Sequence, residues 1–281
     1  MIRIITDSAA DFEPWELEKL NISCIPLVVM FNETEYRENV NLTKTEFYEL
    51  LSASKNLPKT AQASPQILLD LFEQAKAAGD EAIYICLSSA ISGTYQSAMM
   101  TRQLAGGEGL YVLDSRIATG GERMLVEYVV KLRDEGKSAA EIMEAAEKIR
   151  SRITLYACMN TLENLYRGGR ISQTAYTLGT MAQIKPIIHF NEAGQVTVPA
   201  KAMGMKKGAD HLCKLVDKYP PDDNFPFYVM YTSQRSGGEM LADRFRAMGF
   251  DIPDERIIQV GAAIGTHIGV NAIGFVYIAK E

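Results

Sequence analysis

The sequence predicts an α/β protein of two domains, with a mainly parallel sheet in residues 1–150 and a mixed sheet in residues 151–281. Up to about residue 150, apolar runs of strand length alternate with longer amphipathic segments, which is typical of crossover units with helices on both sides of a parallel sheet. Beyond that point, the segment NEAG between IIHF and QVTV is a hairpin signal that requires antiparallel pairing. A length of 281 residues also favours about two domains.

The first half predicts strands and helices in alternation. In the helix predicted over 139–150, Ile142, Ala146 and Ile149 recur at the spacing of one buried face. The predicted strands are 2–5, 24–31, 82–87 and 110–113, and the predicted helices are 44–53, 65–78, 93–104, 120–135 and 139–150.

The second half predicts mostly strands. ITLYACM reads as a strand, TLENLYRGGRIS as a helix followed by a glycine-rich break, and 173–183 as another helix. The remaining predicted strands are IKPIIHF, QVTVPAKAM, PFYVMYT and FVYIAK.

Composition and charge narrow the function classes. The chain carries 29 Lys and Arg against 35 Asp and Glu, a formal net charge of −6, whereas general nucleic-acid-binding proteins present a basic surface. No segment reaches the roughly 20 apolar residues that cross a bilayer, and the N-terminus MIRIITDSAADFEPWE has no apolar signal region. These features predict a cytoplasmic protein with no nucleic-acid partner and no membrane insertion.

The cysteines indicate neither a metal site nor disulfides. Cys24, Cys86, Cys158 and Cys213 form no CxxC pair, and no histidine stands at metal-ligand spacing. The first three lie in apolar runs, which favours buried free thiols.

A hydroxyl-rich turn follows the strand predicted over 82–87. Within ten positions it contains Ser88, Ser89, Ser92, Thr94 and Ser97, together with Gly93. A phosphate, a carbonyl under attack or a carboxylate could use such a turn. The chain has no GxxxxGK[ST] string and no GxGxxG after a strand, so the residues give no support to nucleotide binding.

The second possibility is a serine nucleophile. The local sequence AISGT lacks the first glycine of the GxSxG elbow. Of the three histidines, His267 is the candidate base because a small-residue loop, GAAIGTHIGVNAIG, surrounds it, whereas the others lie in an apolar strand and on an amphipathic helix. A triad of Ser92, His267 and either Asp7 or Asp114 stays open.

Asp7 and Asp114 belong to a weak internal echo. IRIITDSAAD and LYVLDSRIATG both continue from an apolar strand into Asp, Ser and small residues. This pattern predicts helix-capping chemistry and is compatible with a shared carboxyl edge of the parallel sheet, where ligands usually bind.

The third possibility is anion binding without chemistry. Ser92 is a natural N-cap for the helix predicted over 93–104, and the unpaired N–H groups of its first turn, beginning at Gly93, favour negative charge. Because the turn contains no Lys or Arg, a carboxylate held by neutral donors fits it best.

A second hydroxyl-rich loop supports this interpretation. LPKTAQASPQILLDLF places Thr60, Gln62 and Ser64 directly before a helix that begins at Pro65. Ser64 reads as the N-cap of that helix, which leaves Thr60 and Gln62 to face a ligand.

Taken in order and spacing, these motifs resemble those of the DegV family of bacterial fatty-acid-binding proteins. The resemblance extends along the whole chain. It consists of TDSAAD (6–11), IPLVV (25–29), TAQAS (60–64), LSSAISGTYQSA (87–98), VLDS (112–115), LENLYRGGRIS (162–172), IKPII with a following GxV (184–196), and HxG (267–269).

The resemblance implies an N-terminal three-layer α/β/α domain and a smaller C-terminal α/β domain with a mixed sheet. It also implies a long-chain fatty acid with its tail buried. By motif position, Thr60 and Ser92 would bind the carboxylate, with Gly93 and His267 as supports. Gln62 and Ser64 of the neighbouring loop complete the expected ligand site.

A protein partner is implied as well. In several Gram-positive bacteria, proteins of this kind present the fatty acid to a separate kinase, which forms an acyl phosphate. We therefore expect a carrier rather than an enzyme, with no cofactor beyond the bound fatty acid. The rival hypothesis is a serine hydrolase of acyl substrates that uses Ser92 and His267.

The RGGRIS segment has two interpretations. Arg170 and Arg167 flank two glycines there, and a charged loop of this kind could close over the head group or meet an acidic partner. The same residues would also suit a helix C-terminus, where glycine caps the helix and cations complement its dipole.

Two segments depart from the family pattern. The family loop Thr-Ser-Gln-Pro-Ser is Thr-Ala-Gln-Ala-Ser at 60–64, and the Gly-Pro-Gly that often follows the histidine is replaced by Gly-Val-Asn at 269–271. Thr60 and Ser92 are retained, so carboxylate binding is still expected. We expect the departures to affect loop rigidity and the shape of the pocket mouth.

Overall fold

A computed structural model gives the structure of the chain and describes residues 1–177 and 183–281. Short 3₁₀ segments lie at Ser8–Ala10 and Asp254–Arg256. The first-half elements are β1 (Ile2–Asp7), α1 (Pro14–Leu20), β2 (Ile22–Ile25), β3 (Val28–Phe31), β4 (Thr34–Arg37), α2 (Lys44–Ala53), β5 (Lys59–Ala61), α3 (Pro65–Ala77), β6 (Glu81–Cys86), α4 (Thr94–Leu104), β7 (Leu110–Asp114), α5 (Gly120–Asp134) and α6 (Ala139–Arg150). The second-half elements are β8 (Ile153–Cys158), α7 (Glu163–Arg167), α8 (Gln173–Thr177), β9 (Ile184–Phe190), β10 (Val196–Met203), α9 (Gly204–Lys218), β11 (Tyr228–Tyr231), α10 (Arg235–Ala247), β12 (Ile257–Gln259), α11 (Ala262–Ile268) and β13 (Ile273–Ile278).

The first half is built around a parallel sheet with strand order β2-β1-β6-β7. Successive strand side chains point to opposite faces. Ile4 and Ile83 accordingly belong to the core under α5 and α6, whereas Ile5 and Tyr84 belong to the core under α3 and α4. This confirms the predicted three-layer arrangement.

Side-chain caps explain why the helix bounds were predictable. Ser138 accepts from the backbone N–H of Glu141 and completes a capping box at the start of α6. Ser64 caps α3, whose first residue is Pro65. The helix predicted over 173–183 is described only as α8, because residues 178–182 lie outside the described residues.

The segment 24–31 is not the single strand that the sequence predicts. The chain passes from β2 in the parallel sheet to β3, which pairs with β4 and β5 in a separate antiparallel sheet. Pro26 lies between the two strands and has no N–H to donate, so continuous pairing ends there.

The second half forms a mixed sheet with strand order β10-β9-β8-β13-β11-β12, in which β11 and β12 are parallel. The predicted hairpin is confirmed, because β9 and β10 pair antiparallel across the NEAG turn. Helices α9 and α10 cover one face, where Leu212 and Phe245 pack with Val229.

The opposite face of the mixed sheet packs against α5, which also contacts the parallel sheet. Met230 and Val276 therefore share one core with Ile4 and Ile83. The mixed sheet begins at Ile153, but the division into residues 1–150 and 151–281 remains a prediction because α5 joins both sheets.

Candidate ligand-binding site

A cavity of about 270 Å³ lies between the mixed sheet, helix α11 and two loops of the first half. Helix α11 forms one wall through Ile264 and Ile268. Alternate residues of two strands form another wall, as expected for side chains on one face of a sheet: Leu155 and Ala157 of β8, and Ile188 and Phe190 of β9. Because these walls are apolar, the cavity suits an alkyl chain.

Polar residues from four segments gather at one part of the cavity wall. We call them the polar cluster, and they are Thr60, Gln62, Ser92, Gly93, Arg170 and His267. Thr60 Oγ1 lies 2.9 Å from Nε2 of His267, although the two residues are 207 positions apart in the chain. The structure thus brings six of the seven sequence-predicted site residues to one cavity.

His267 lies on helix α11, and the prediction of a small-residue loop around it was wrong. The small residues serve helix packing instead. Gly265 faces Phe47 and Tyr48 so closely that an added Cβ would lie 2.6 Å from the Tyr48 hydroxyl oxygen. The helix ends at Gly269, whose φ of 74° favours glycine.

The protonation state of His267 follows from its surroundings. Burial, with a smaller contribution from Arg170, lowers the pKa of His267 to about 4, so the ring is neutral at pH 7. Its Nδ1 is buried beside Gly168 and has no hydrogen-bond partner among the described residues. A proton on Nδ1 would be unsatisfied, which favours the tautomer with the proton on Nε2. His267 then donates to Thr60, and the Thr60 hydroxyl proton is left for a ligand acceptor.

The sequence predicts Ser92 as the N-cap of α4, but Ser92 lies one residue before that position. Gly93 occupies the N-cap position, and α4 begins at Thr94. Ser92 Oγ instead accepts from the Thr94 backbone N–H at 3.2 Å and lies 2.9 Å from the Thr94 hydroxyl. This local pair fixes the Ser92 hydroxyl at the cavity wall.

The other hydroxyls of this turn have structural roles. Ser88 Oγ donates to the carbonyl oxygen of Gly194 in the β9–β10 hairpin at 2.8 Å. Ser89 binds the Asp114 carboxylate through both its N–H and its hydroxyl. Only part of the hydroxyl-rich turn therefore faces the cavity.

The two hydroxyl-rich loops touch each other at Gly93. A Cβ at Gly93 would lie 2.7 Å from Oε1 of Gln62, so a larger residue would displace the Gln62 side chain. Ser64 accepts from the Ile67 N–H at 3.5 Å as the cap of α3, and it is not among the residues that line the cavity.

Arg170 links the RGGR segment to the hydroxyl-rich turn. Its Nε donates to the Ile91 carbonyl at 3.0 Å, and a second guanidinium nitrogen donates to the Gly168 carbonyl. Burial lowers its pKa from the ordinary arginine value. Among the described residues that line the cavity, Arg170 is the one charged side chain.

A catalytic triad is not assembled in the described part of the chain. Ser92 Oγ bonds to Thr94, and His267 Nε2 bonds to Thr60. Asp7 accepts from the backbone N–H groups of Ala9 and Leu87, and Asp114 is bound by Ser89. Among the described residues, no acid orients Nδ1 of His267, which a triad requires.

Metal binding finds no support in residues 1–177 and 183–281, where no group of three or more His, Cys, Asp or Glu side chains is placed to hold an ion. None of the helices described there combines the length and the apolar character needed to cross a membrane.

Comparisons with known proteins identify the family of this chain. The model of the DegV family of uncharacterised proteins matches residues 1–280. A DegV domain-containing protein of Halalkalibacterium halodurans is 33% identical over 282 residues, which cover 100% of this chain and 99% of that protein.

Two solved structures are similar in fold over 99% of both chains. A fatty-acid-binding DegV family protein from Thermus thermophilus has a TM-score of 0.89 and 26% identity. DegV, a fatty acid binding protein from Bacillus subtilis, has a TM-score of 0.85 and 28% identity. Because the family model and the H. halodurans relative both match over essentially the full length, the chain belongs to the DegV family.

Proposed function

We propose that this chain binds a long-chain fatty acid, with the tail in the apolar cavity and the carboxylate at the polar cluster. The observation that carries this proposal is the Thr60–His267 pair at the wall of an otherwise mainly apolar cavity. The fatty-acid-binding proteins of T. thermophilus and B. subtilis support it, because they share the fold over 99% of both chains.

The carboxylate has suitable partners in this cluster. The Thr60 hydroxyl donates to one oxygen while His267 holds it in place, and Ser92 supplies a second hydroxyl. Arg170 adds a positive charge whose guanidinium is already fixed by two backbone carbonyls. Neutral hydroxyls and one cation suit a single negative charge.

The tail and the head group contribute differently to binding. About fourteen buried methylenes contribute roughly 11 kcal/mol before ordering costs. A hydrogen bond to a charged group contributes about 1.5–3 kcal/mol. The tail therefore dominates the affinity, and the polar cluster sets the orientation of the carboxylate.

We also propose that the bound acid is presented to a separate fatty acid kinase, and that the chain itself performs no chemistry. The chain has no GxxxxGK[ST] string for the phosphates of a nucleotide, so a partner would supply ATP. A fixed carboxylate is what such a partner would need.

Native mass spectrometry, followed by extraction with organic solvent, tests the binding. We expect one fatty acid per chain, and a loss of occupancy in the Thr60→Ala/Ser92→Ala variant. Removal of both hydroxyls should weaken binding by about 100-fold or more. A protein that gains no mass after incubation with free fatty acids would refute the proposal.

Ser89→Ala is the matched control, since its hydroxyl lies in the same turn but binds Asp114. It should keep wild-type occupancy. Labelling of Ser92 by a fluorophosphonate, with turnover of an acyl ester, would instead establish the serine hydrolase hypothesis.

Reconstitution with a bacterial fatty acid kinase and ATP tests the presentation. Acyl phosphate should form with the loaded wild-type protein and fall strongly with the Thr60→Ala/Ser92→Ala variant. Normal acid binding without acyl phosphate in the presence of any such kinase would argue for a carrier that serves another acceptor.

A further inference from the structure

Two buried carboxylates from the first half meet the N-terminus of helix α11. Asp11 Oδ1 accepts from the Gly261 N–H at 2.8 Å, and Glu38 Oε1 accepts from the Ala262 N–H. The side chains come from distant parts of the chain, and the two residues are only 1% and 2% exposed. They satisfy helix N–H groups that have no partner within the helix.

Both carboxylates are themselves held in place. Glu38 Oε2 accepts from the Ser8 hydroxyl at 2.6 Å, and Ser8 Oγ accepts from the Leu27 N–H at 3.0 Å. Asp11 has a φ of 59°, and its carbonyl accepts from Lys44 Nζ at 2.8 Å. The carboxylates of Asp11 and Glu38 are thus held in fixed positions in the first half.

The approach of the helix to these acceptors is tight. An added Cβ at Gly261 would overlap Oε1 of Glu38 and lie 2.9 Å from Oδ1 of Asp11. Further along, Gly265 packs on Phe47 and Tyr48 without room for a side chain. Helix α11 therefore has little freedom to slide along its axis.

His267 lies five residues beyond Ala262, which corresponds to about 7.5 Å along a helix axis. Because helix α11 is short and rigid, a shift of its N-terminus also moves the imidazole of His267. The hydrogen bond from His267 to Thr60 spans 2.9 Å and joins α11 to strand β5, so a shift of about 1 Å along the bond would break it.

We propose that Glu38 and Asp11 are positioning residues for the polar cluster, which set the axial position of helix α11 and thereby the reach of His267 to Thr60. The role of His267 toward a fatty acid rests on the proposed function, whereas the positioning of its ring does not. A cap that only stabilises the helix would leave the imidazole where it is.

A matched pair of substitutions at position 38 separates the positioning of His267 from a cap that only stabilises the helix. Glu38→Gln keeps an oxygen at the same reach and should leave His267 in place. Glu38→Asp keeps the carboxyl group but withdraws the acceptor by one methylene, so α11 should move. The readout is the side-chain ¹⁵N and ¹H NMR signals of His267 in the ligand-free full chain, with His189 and His211 as internal references.

We expect Glu38→Asp to shift the His267 signals and to weaken fatty acid binding about tenfold, the loss of roughly one hydrogen bond to the carboxylate. Glu38→Gln should stay close to wild type in both measurements. Glu127→Asp is the control, because its partly buried carboxylate binds Tyr228 and Arg123, neither of which lies on α11. It should lower the melting temperature without moving His267.

Unchanged His267 signals in Glu38→Asp would overturn the proposal. If that variant fails to fold, Gly261→Ala applies the same displacement from the helix side and is read in the same way. Shifted His267 signals in a protein that binds no fatty acid even as wild type would sustain the positioning role and refute the proposed function instead.

Discussion

The two ends of helix α11 lie in opposite polar surroundings. At its N-terminus, acceptors are in excess, because Asp11 and Glu38 accept from its first N–H groups. Buried Asp7 and Glu122 interact electrostatically with this pair, and we call the four residues the acid cluster. At its C-terminal end, donors are in excess, because Thr60, Ser92 and Arg170 lie with His267 around the cavity. Both groups combine residues that are distant in sequence.

Whether acceptors or donors are in excess decides whether an end of α11 can bind protons or an anion. The acid cluster is buried, and Asp11 Oδ2 and Glu122 Oε2 have no hydrogen-bond partner among the described residues. Burial raises the pKa of Asp11 to about 8, so this end takes up protons. The other end presents hydroxyl protons and a guanidinium to a cavity, so it can take up an anion. The acid cluster and the polar cluster therefore differ in what they can bind.

The largest expected effect is the pH dependence that Asp7 gives to stability. Burial, assisted by the charge of Glu38, raises its pKa from 3.8 to about 7, against the opposing hydrogen bonds from Leu87 and Ala9. Between these values the folded state holds a proton that the unfolded state releases. The contribution of Asp7 to stability should therefore be fully present below about pH 4 and fall by roughly 4 kcal/mol as the pH rises to 7.

Urea unfolding of the wild type and Asp7→Asn at several pH values checks this contribution. Asparagine cannot ionise, so the stability advantage of the wild type over the variant should shrink steadily from pH 4 to pH 7. Two parallel curves would show that Asp7 is ionised in both states and that the acid cluster is not a proton acceptor at this position.

The second effect concerns the donor-rich end. Gly168 has a φ of −75°, which alanine tolerates, but an added Cβ would overlap the His267 ring. Gly168→Ala should displace His267 and free Thr60, weakening fatty acid binding by about 100-fold. Isothermal titration calorimetry against a long-chain fatty acid measures the change.

The neighbouring glycine provides the control. Gly169 has a φ of 75° and open space around its Cα, so Gly169→Ala should cost about 1 kcal/mol of stability through backbone strain alone. Gly169→Ala should leave the fatty acid affinity unchanged. Equal affinity losses in the two variants would contradict the contact with His267 and point to a general effect on the loop.

The third effect is smaller and tests the positive charge of Arg170. Arg170→Gln removes the charge that helps to hold the pKa of His267 near 4, after the larger effect of burial. The pKa of His267 should rise partway toward its ordinary value in an NMR titration, and fatty acid affinity should fall about tenfold.

Arg167→Gln is its control from the same segment, because Arg167 is half exposed and paired with Glu163 on α7. This variant should change neither quantity. A His267 pKa that stays near 4 without Arg170 would mean that burial alone keeps the ring neutral.

The sequence predicted features that depend on local patterns. Helix α6 begins and ends at the predicted residues because Ser138 caps it and its apolar face repeats regularly. The NEAG hairpin and the Ser64 cap of α3 were likewise readable from short segments. The prediction of a loop at Thr60 was wrong, because Thr60 lies on β5 and pairs with Val29 of β3. The motif resemblance then singled out Thr60, Ser92 and His267, which the fold brings to one cavity.

Other features depend on packing between distant elements. The cavity-facing residues of β8 and β9 could not be assigned, because the exposed face of a strand is decided by what covers the sheet. Asp11 and Glu38 gave no signal, since their partner N–H groups lie more than 200 residues away. Pro26 did offer a local signal for the break between β2 and β3, and the apolar run around it outweighed that signal.

The smallest expected effect sharpens the description of the acid cluster. Glu122 is fully buried, its Oε1 accepts from the Thr6 hydroxyl at 3.2 Å, and its pKa is raised well above the ordinary value, chiefly by burial and then by Asp7. A neutral glutamic acid and a glutamine have nearly the same shape, so at pH 4, where the unfolded chain also holds most of this proton, Glu122→Gln should change the free energy of unfolding by less than about 1.5 kcal/mol.

The same substitution distinguishes a proton acceptor from a buried ion. An ionised Glu122 would be compensated by its surroundings, and its loss would cost about 3 kcal/mol or more. A neutral one leaves only the Thr6 hydrogen bond at stake, which the glutamine carbonyl can still accept. Equilibrium unfolding at pH 4 and at pH 7 decides between these outcomes. A small change at pH 4 with a gain in stability of the variant at pH 7 would show that Glu122 holds a proton in the folded state, whereas a loss at pH 7 would show a buried ion.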